Sequence, residues 1–298
     1  MLTSLAFIAA GIALLWLGAE WLVGGGARLA LRLGVTPLVA GLTIVAFGTS
    51  APELVVSIKS AIAGQPDIAV GNVIGSNTFN ITVILAIASL IRPARVCSQM
   101  IRREIPILIA LTPVPWLMLL DGRLGRADAA LLLATLATYA SLTVRRALSK
   151  GDSPLDAEFS TEIGRPANPA RLLGLIAAGI LLLVIGGQAF LAGAVRLAQG
   201  FGLSEAVTGI TIVAAGTSLP ELAASIVASL RGRDDIAVGN IVGSNLFNIL
   251  GILGATAAIR PAFVAGIGAL DFAVMLVVTV ALFPLARSEM RLSRPEAL

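Results

Sequence analysis

The sequence contains no histidine and a single cysteine, Cys97. Without histidine there is no Ser-His-Asp triad, no HExxH zinc site and no imidazole proton relay. With one cysteine there is neither a disulfide framework nor a Cys-rich metal site. Charge is also scarce: 13% of residues are charged, against about a quarter in an average soluble domain. Aromatic residues make up 5%, and no basic cluster with interleaved aromatics occurs, so the formal net charge of +4 does not mark a nucleic-acid binder. What remains is apolar, with 57% of 298 residues hydrophobic and a mean hydropathy of +0.95. Thirty-one glycines and fourteen prolines lie within this apolar chain. Transmembrane helices tolerate them because neighbouring helices re-satisfy the freed backbone groups. The expected fold class is all-α, a polytopic membrane protein.

A helix that crosses a bilayer needs about 20 predominantly apolar residues. That ruler predicts nine spans, near 3–23, 35–62, 68–91, 104–120, 127–148, 170–199, 205–230, 236–259 and 264–286. The N-terminus carries no basic residue before its apolar run and no A-x-A site before a polar mature domain, so it reads as the first helix and not a cleaved signal. Cytoplasmic loops are enriched in Lys and Arg. With alternate loops on opposite sides, one side collects 16 of the 21 basic residues and the other five: Lys59, Arg123, Arg126, Arg196 and Arg260. This places the N-terminus outside and the polar connection 149–169 in the cytoplasm.

The chain repeats itself. Gly41 to Ser60, GLTIVAFGTSAPELVVSIKS, matches Gly209 to Ala228, GITIVAAGTSLPELAASIVA, at 13 of 20 positions. DIAVGNVIGSNTFNI from Asp67 matches DIAVGNIVGSNLFNI from Asp235 at 12 of 15. Both pairs keep an offset of 168, as do Ile91-Arg92-Pro93 and Ile259-Arg260-Pro261. The expected units are 1–148, with helices one to five, and 170–298, with helices six to nine. An odd number of helices per unit makes the second copy enter from the opposite side, so the repeats are expected to be inverted. Secondary transporters recurrently use that construction, with substrate at the midplane between discontinuous helices. The bland alternative is a duplicated scaffold without transport.

Glu53 and Glu221 lie deep in matched apolar spans, where a charge costs on the order of 3 kcal/mol even on insertion scales. No intramembrane Lys or Arg is placed to offset them, which leaves a bound cation or proton; protonated acids bridging helices are the alternative. Hard oxygen ligands surround them. Thr49 and Ser50 share the helix face of Glu53, and Thr217 and Ser218 that of Glu221. Pro52 and Pro220 free the carbonyls of Gly48 and Gly216. Ser76 with Asn80, and Ser244 with Asn248, present a hydroxyl and an amide four residues apart. Carboxylates, hydroxyls, amides and carbonyls suit Ca²⁺ and also Na⁺. Gly71, Gly75, Gly239 and Gly243 read as close-packing residues. Glu20, whose repeat partner is Gln188, reads as an interfacial residue, and Asp271 as a helix-start residue.

These motifs, GTSAPE at Gly48 to Glu53 and GTSLPE at Gly216 to Glu221, each followed by GNxxGSNxFNI, are similar to the two α-repeats of the Na⁺/Ca²⁺ exchangers within the cation/Ca²⁺ exchanger superfamily, in its compact prokaryotic form. The resemblance implies ten helices in two inverted five-helix repeats, with four ion sites at the midplane. It also implies ligation by Thr49, Ser50, Glu53, Ser76, Asn80 and the carbonyl of Ala46, and by Thr217, Ser218, Glu221, Ser244, Asn248 and the carbonyl of Ala214. Some relatives, including the potassium-dependent exchangers, carry Asp where this chain has Asn248, so potassium dependence is not expected. Arg123-Leu-Gly-Arg126 aligns with Arg291-Leu-Ser-Arg294, and Leu298 with Ala130, so the tenth helix is expected to be missing.

The expected activity is therefore export of Ca²⁺ against entering Na⁺ by alternating access. Ca²⁺ and Na⁺ are the transported substrates, with no cofactor, enzymatic activity, nucleic acid or protein partner. A Ca²⁺/H⁺ exchanger with Glu53 and Glu221 as proton carriers is the nearest rival. A cation channel, which needs a ring of acids from several subunits, and an intramembrane enzyme, which lacks a nucleophile pair, are more remote.

Overall fold

The computed structural model describes residues 1–149, 168–202, 214–287 and 291–292. The chain runs through α1 (Leu2–Leu33), a bent pair α2 (Pro37–Thr49) and α3 (Ala51–Ile62), then α4 (Pro66–Ile91), α5 (Met100–Asp121) and α6 (Arg126–Ser149). The second half holds α7 (Pro169–Gly200), α8 (Leu219–Leu230), α9 (Asp234–Ile259) and α10 (Ala269–Arg287). Among the described residues seven of these helices are long and apolar enough to cross a membrane, and the α2–α3 pair, bent by 46°, is long and apolar enough when taken together. The connection expected at 149–169 falls almost wholly outside the described residues. So do the first part of the span expected at 205–230 and the C-terminal stretch 293–298.

Two boundaries move furthest from their expected places. The first span, expected at 3–23, continues to Leu33, because two glycines of its Gly24-Gly25-Gly26 run are buried against neighbours: Gly25 faces Ile176 and Gly26 faces Val45. The helix stops at Gly34, whose φ of 68° is the left-handed conformation of a helix C-cap. The last span, expected from 264, begins at Ala269; in the loop before it the N–H groups of Ala265 and Gly266 donate to Asp67 Oδ1 at 3.0 and 2.9 Å. There Asp271 accepts from the N–H of Gly268 at 2.9 Å, the helix-start role read from the sequence.

α1 and α7 are repeat equivalents and pack as an antiparallel pair. Gly18 lies against Gly179 and Leu183, while Gly25, one heptad on, lies against Ile176 and Leu172. Glycines seven residues apart on each helix bring the backbones together; a Cβ on Gly18 would sit 2.8 Å from the Gly179 carbonyl oxygen. The loops obey the same pseudo-symmetry. Strand β1 (Ala94–Arg95) pairs with β4 (Arg291–Leu292), and β2 (Arg123–Leu124) with β3 (Ala262–Phe263), each pairing being the other shifted by 168. The halves are thus stitched to each other at both ends, and the polar core lies where α2–α3, α4, α8 and α9 meet.

Candidate ion-binding site

Local chemistry bends the chain at the two glutamates. Pro52 has no N–H to donate to Gly48, so the helix breaks at Ser50 (φ −80°, ψ 9°). Ser218 before Pro220 takes the same conformation (φ −89°, ψ 9°). The hinge serines then reach across the repeats. Ser50 Oγ donates to Glu221 Oε1 at 2.7 Å, and Ser218 Oγ donates to Glu53 Oε1 at 3.0 Å. The adjoining helices widen to i→i+5 turns at Asn80–Ile84 and Asn248–Ile252, each opening on a candidate ligand.

Most of the residues picked out in the sequence come together. Ser218 Oγ lies 3.3 Å from Ser76 Oγ. Thr49 Oγ1 lies 3.1 Å from Asn240 Oδ1, 3.3 Å from the Ala46 carbonyl oxygen and 3.4 Å from Ser244 Oγ, which itself approaches Ala46 O at 3.4 Å. The Ala46 carbonyl is therefore inside the cluster. Thr217 sits half-buried in the bend before α8, and Ala214 opens the short turn Ala214–Gly216, with its side chain outside the described residues. Glu53, Glu221, Asn80 and Asn248 are at most 1% exposed.

The electrostatic character of the cluster lies in what is left over. Among the described residues, the buried oxygens Glu53 Oε2, Glu221 Oε2, Asn80 Oδ1 and Asn248 Oδ1 have no hydrogen-bond donor. A buried acceptor without a donor costs about 1–3 kcal/mol, more if charged. The four occupy matched positions of both repeats. Among the described residues no three acidic, Cys or His side chains converge. The oxygens gathered here are two carboxylates diluted by neutral hydroxyl, amide and carbonyl groups.

Glu104 shows the contrast. This third buried carboxylate, not singled out from the sequence, accepts from Tyr139 Oη at 2.7 Å and Gln99 Nε2 at 3.2 Å, with Arg103 at 3.8 Å. Its charge is answered by donors, and it ties α5 to α6. The sequence reading also passed over Asn72, Asn77, Asn240 and Asn245, although they lie inside the repeated GNxxGSNxFNI motif. Asn72 Nδ2 donates to Ser57 Oγ at 3.0 Å and to the Glu53 carbonyl at 3.3 Å. Asn240 Nδ2 does the same to Ser225 Oγ at 3.1 Å and to the Glu221 carbonyl at 3.4 Å. These bonds clamp each glutamate's helix onto its neighbour. Glu20 is instead ion-paired: Arg231 Nη2 and Nε donate to its Oε1 at 2.6 and 2.9 Å.

Residues 3–145 and 171–298 match the family model described as sodium/calcium exchanger protein. The chain is 41% identical over 284 residues to the putative antiporter CaxA of Alkalimonas amylolytica, covering 95% of this chain and 89% of that protein. It is 30% identical over 290 residues to the sodium/calcium exchanger MaX1 of Methanosarcina acetivorans, covering 86% of this chain and 83% of that one. In structure it resembles the sodium-calcium exchanger NCX_Mj with a TM-score of 0.84 and 27% identity, over 99% of this chain and 94% of the other.

Proposed function

The chain belongs to the sodium/calcium exchanger family, multi-pass membrane transporters that act as cation/Ca²⁺ antiporters and not as enzymes, and on that premise we propose that it exchanges Na⁺ for Ca²⁺ by alternating access. The carrying observation is the set of four buried oxygens, two carboxylate and two amide, that have no donor among the described residues and lie at positions matched between the repeats. Ca²⁺ takes six to eight oxygens with flexible geometry, and Thr49, Ser50, Ser76, Ser218, Ser244 and the Ala46 carbonyl supply neutral oxygens beside the four; Thr217 and the Ala214 carbonyl complete the pseudo-symmetric set. Na⁺ uses the same ligand chemistry, so the two ions compete for Glu53 and Glu221. Exchange follows if loaded and empty sites favour different access states, since a ligand shifts an equilibrium only by its differential affinity. Antiparallel packing of the equivalent helices α1 and α7 supports an inverted arrangement of units 1–148 and 170–298, joined by 149–169. Two such units can exchange conformations and so open the site to either side.

The test is ⁴⁵Ca²⁺ uptake into Na⁺-loaded proteoliposomes. Uptake is expected to follow an outward Na⁺ gradient, to persist with a protonophore and to proceed without K⁺, because Asn80 and Asn248 are neutral. Uptake driven by a pH gradient and abolished by the protonophore would transfer the glutamates to proton carriage. An absolute K⁺ requirement would show that neutrality at Asn248 had been misread.

Orientation has its own test. The 16 to 5 division of basic residues supports an N-terminus outside the cell, which puts the exposed end of α6 in the cytoplasm. In a Cys97→Ser background, Ser149→Cys is expected to react with an impermeant thiol reagent in inverted vesicles and not in intact cells. The native thiol reacts poorly in any case, since burial and the nearby Asp235 carboxylate push its pKa up to about 11. Labelling from outside intact cells would reverse the topology.

A further inference from the structure

Asn77 and Asn245 sit at the crossing of α4 and α9, at most 1% exposed, and neither leaves an unsatisfied atom facing the ion cluster. Their hydrogen bonds close a reciprocal figure. Asn77 Nδ2 donates to the Asn245 carbonyl at 3.2 Å, and Asn245 Nδ2 donates to the Asn77 carbonyl at 3.3 Å. Each side-chain oxygen then accepts from a ligand candidate of the opposite repeat: Asn80 Nδ2 donates to Asn245 Oδ1 at 2.8 Å, and Asn248 Nδ2 donates to Asn77 Oδ1 at 3.0 Å.

The direction of these bonds decides what a cation meets. A side-chain amide has one acceptor end and one donor end, and a half-turn about its last bond exchanges them. With the NH₂ of Asn80 and Asn248 tied to the crossing pair, the carbonyl ends are the ones left without a donor. The crossing pair cannot itself turn over. In each of its members the NH₂ is held by a backbone carbonyl, so the oxygen has to face the neighbouring amide. Backbone polarity is thus transmitted through two side chains to the ion cluster, once in each repeat.

We propose that Asn77 and Asn245 are positioning residues that set the amide orientation of Asn248 and Asn80, so that each presents oxygen and not NH₂ to the transported cation. The proposal rests on the ion site described above and adds to it a second layer that touches no ion. Outer partners of this kind are worth about 10–100-fold in metal affinity. Because each lock passes through a side chain of the opposite repeat, it ties the Asn of one half to that half's own backbone by way of the other half.

A double-mutant cycle read by equilibrium ⁴⁵Ca²⁺ binding to detergent-purified protein tests this, with thermal melting recorded for each variant. Asn77→Leu is expected to weaken Ca²⁺ binding about tenfold or more, and Asn248→Ala to weaken it also. The double variant should be no weaker than Asn248→Ala alone, because there is no longer an amide to orient. Losses that simply multiply would overturn the positioning role, since a general packing defect acts regardless of residue 248. Unchanged binding by Asn248→Ala would instead overturn its place among the ligands. Asn77→Ala replaces Asn77→Leu in the cycle if the latter does not fold. The mirror cycle of Asn245→Leu with Asn80→Ala should behave the same way, and additivity there would equally overturn the proposal.

Discussion

Proteoliposomes carrying Glu53→Gln or Glu221→Gln are expected to show Ca²⁺ uptake reduced by about 100-fold or more, while the protein remains folded and inserted. Glutamine keeps an oxygen that can accept from the hinge serine, Ser218 for residue 53 and Ser50 for residue 221. The other carboxylate oxygen, which now accepts nothing, becomes an NH₂ group aimed at the cation. In the proposed exchange the substitution therefore replaces attraction by repulsion at a group that meets the cation directly, where even outer partners are worth about 10–100-fold. Stability should not suffer, because a buried neutral amide is cheaper in a membrane than a buried charge. The measurement is ⁴⁵Ca²⁺ uptake alongside size-exclusion profiles of the purified variants. Near-normal uptake by either variant would remove that glutamate from the ion path.

The second large effect concerns packing. Gly243→Ala is expected to destabilise the protein by about 1–3 kcal/mol and to weaken Ca²⁺ binding with it. A Cβ there would lie 2.6 Å from the Leu42 carbonyl oxygen, 2.7 Å from Leu42 Cα and 2.8 Å from Ala46 Cβ. Two of those atoms are backbone, so the helices must separate. The helix that moves carries Ala46, whose carbonyl faces Ser244, the residue next to the substitution. Stability and affinity should fall together for that reason. Gly24→Ala is the control, because nothing lies within 4 Å of the added methyl and alanine is the better helix former. A Gly243→Ala protein with the melting temperature and Ca²⁺ affinity of the parent would mean that α2 and α9 are not held at this distance.

How much of the site could be read in advance varied by residue. Glu53 and Glu221 were legible because a charge inside an apolar run is conspicuous in any window of sequence, and the constant offset made each vouch for the other. Ser76, Asn80, Ser244 and Asn248 were legible through helical spacing. Asn77 and Asn245 were present in the same motif but lie one position off that spacing, and their bonds run to residues 165 to 171 positions away. Glu104 was missed for a related reason. It sits at the edge of an expected span, where an acid looks solvated, and only the approach of Tyr139 makes it a buried and answered charge.

The sequence by itself determined the solvent, the repeat and the chemistry of the ligands. Composition chooses between water and lipid, identity at fixed offset declares duplication, and a proline within a helical run removes one backbone hydrogen bond of the ladder, all of them properties of short stretches. The tertiary structure alone decided which oxygens remain without donors, because an acceptor's state depends on every group that folding brings near it. It also decided that each hinge serine serves the opposite repeat's glutamate, that β1 pairs with β4 and β2 with β3, and that the first helix runs on through three consecutive glycines. Each of these is a contact between segments far apart in the chain, set by how closely small residues let the helices approach, and no local pattern encodes that distance.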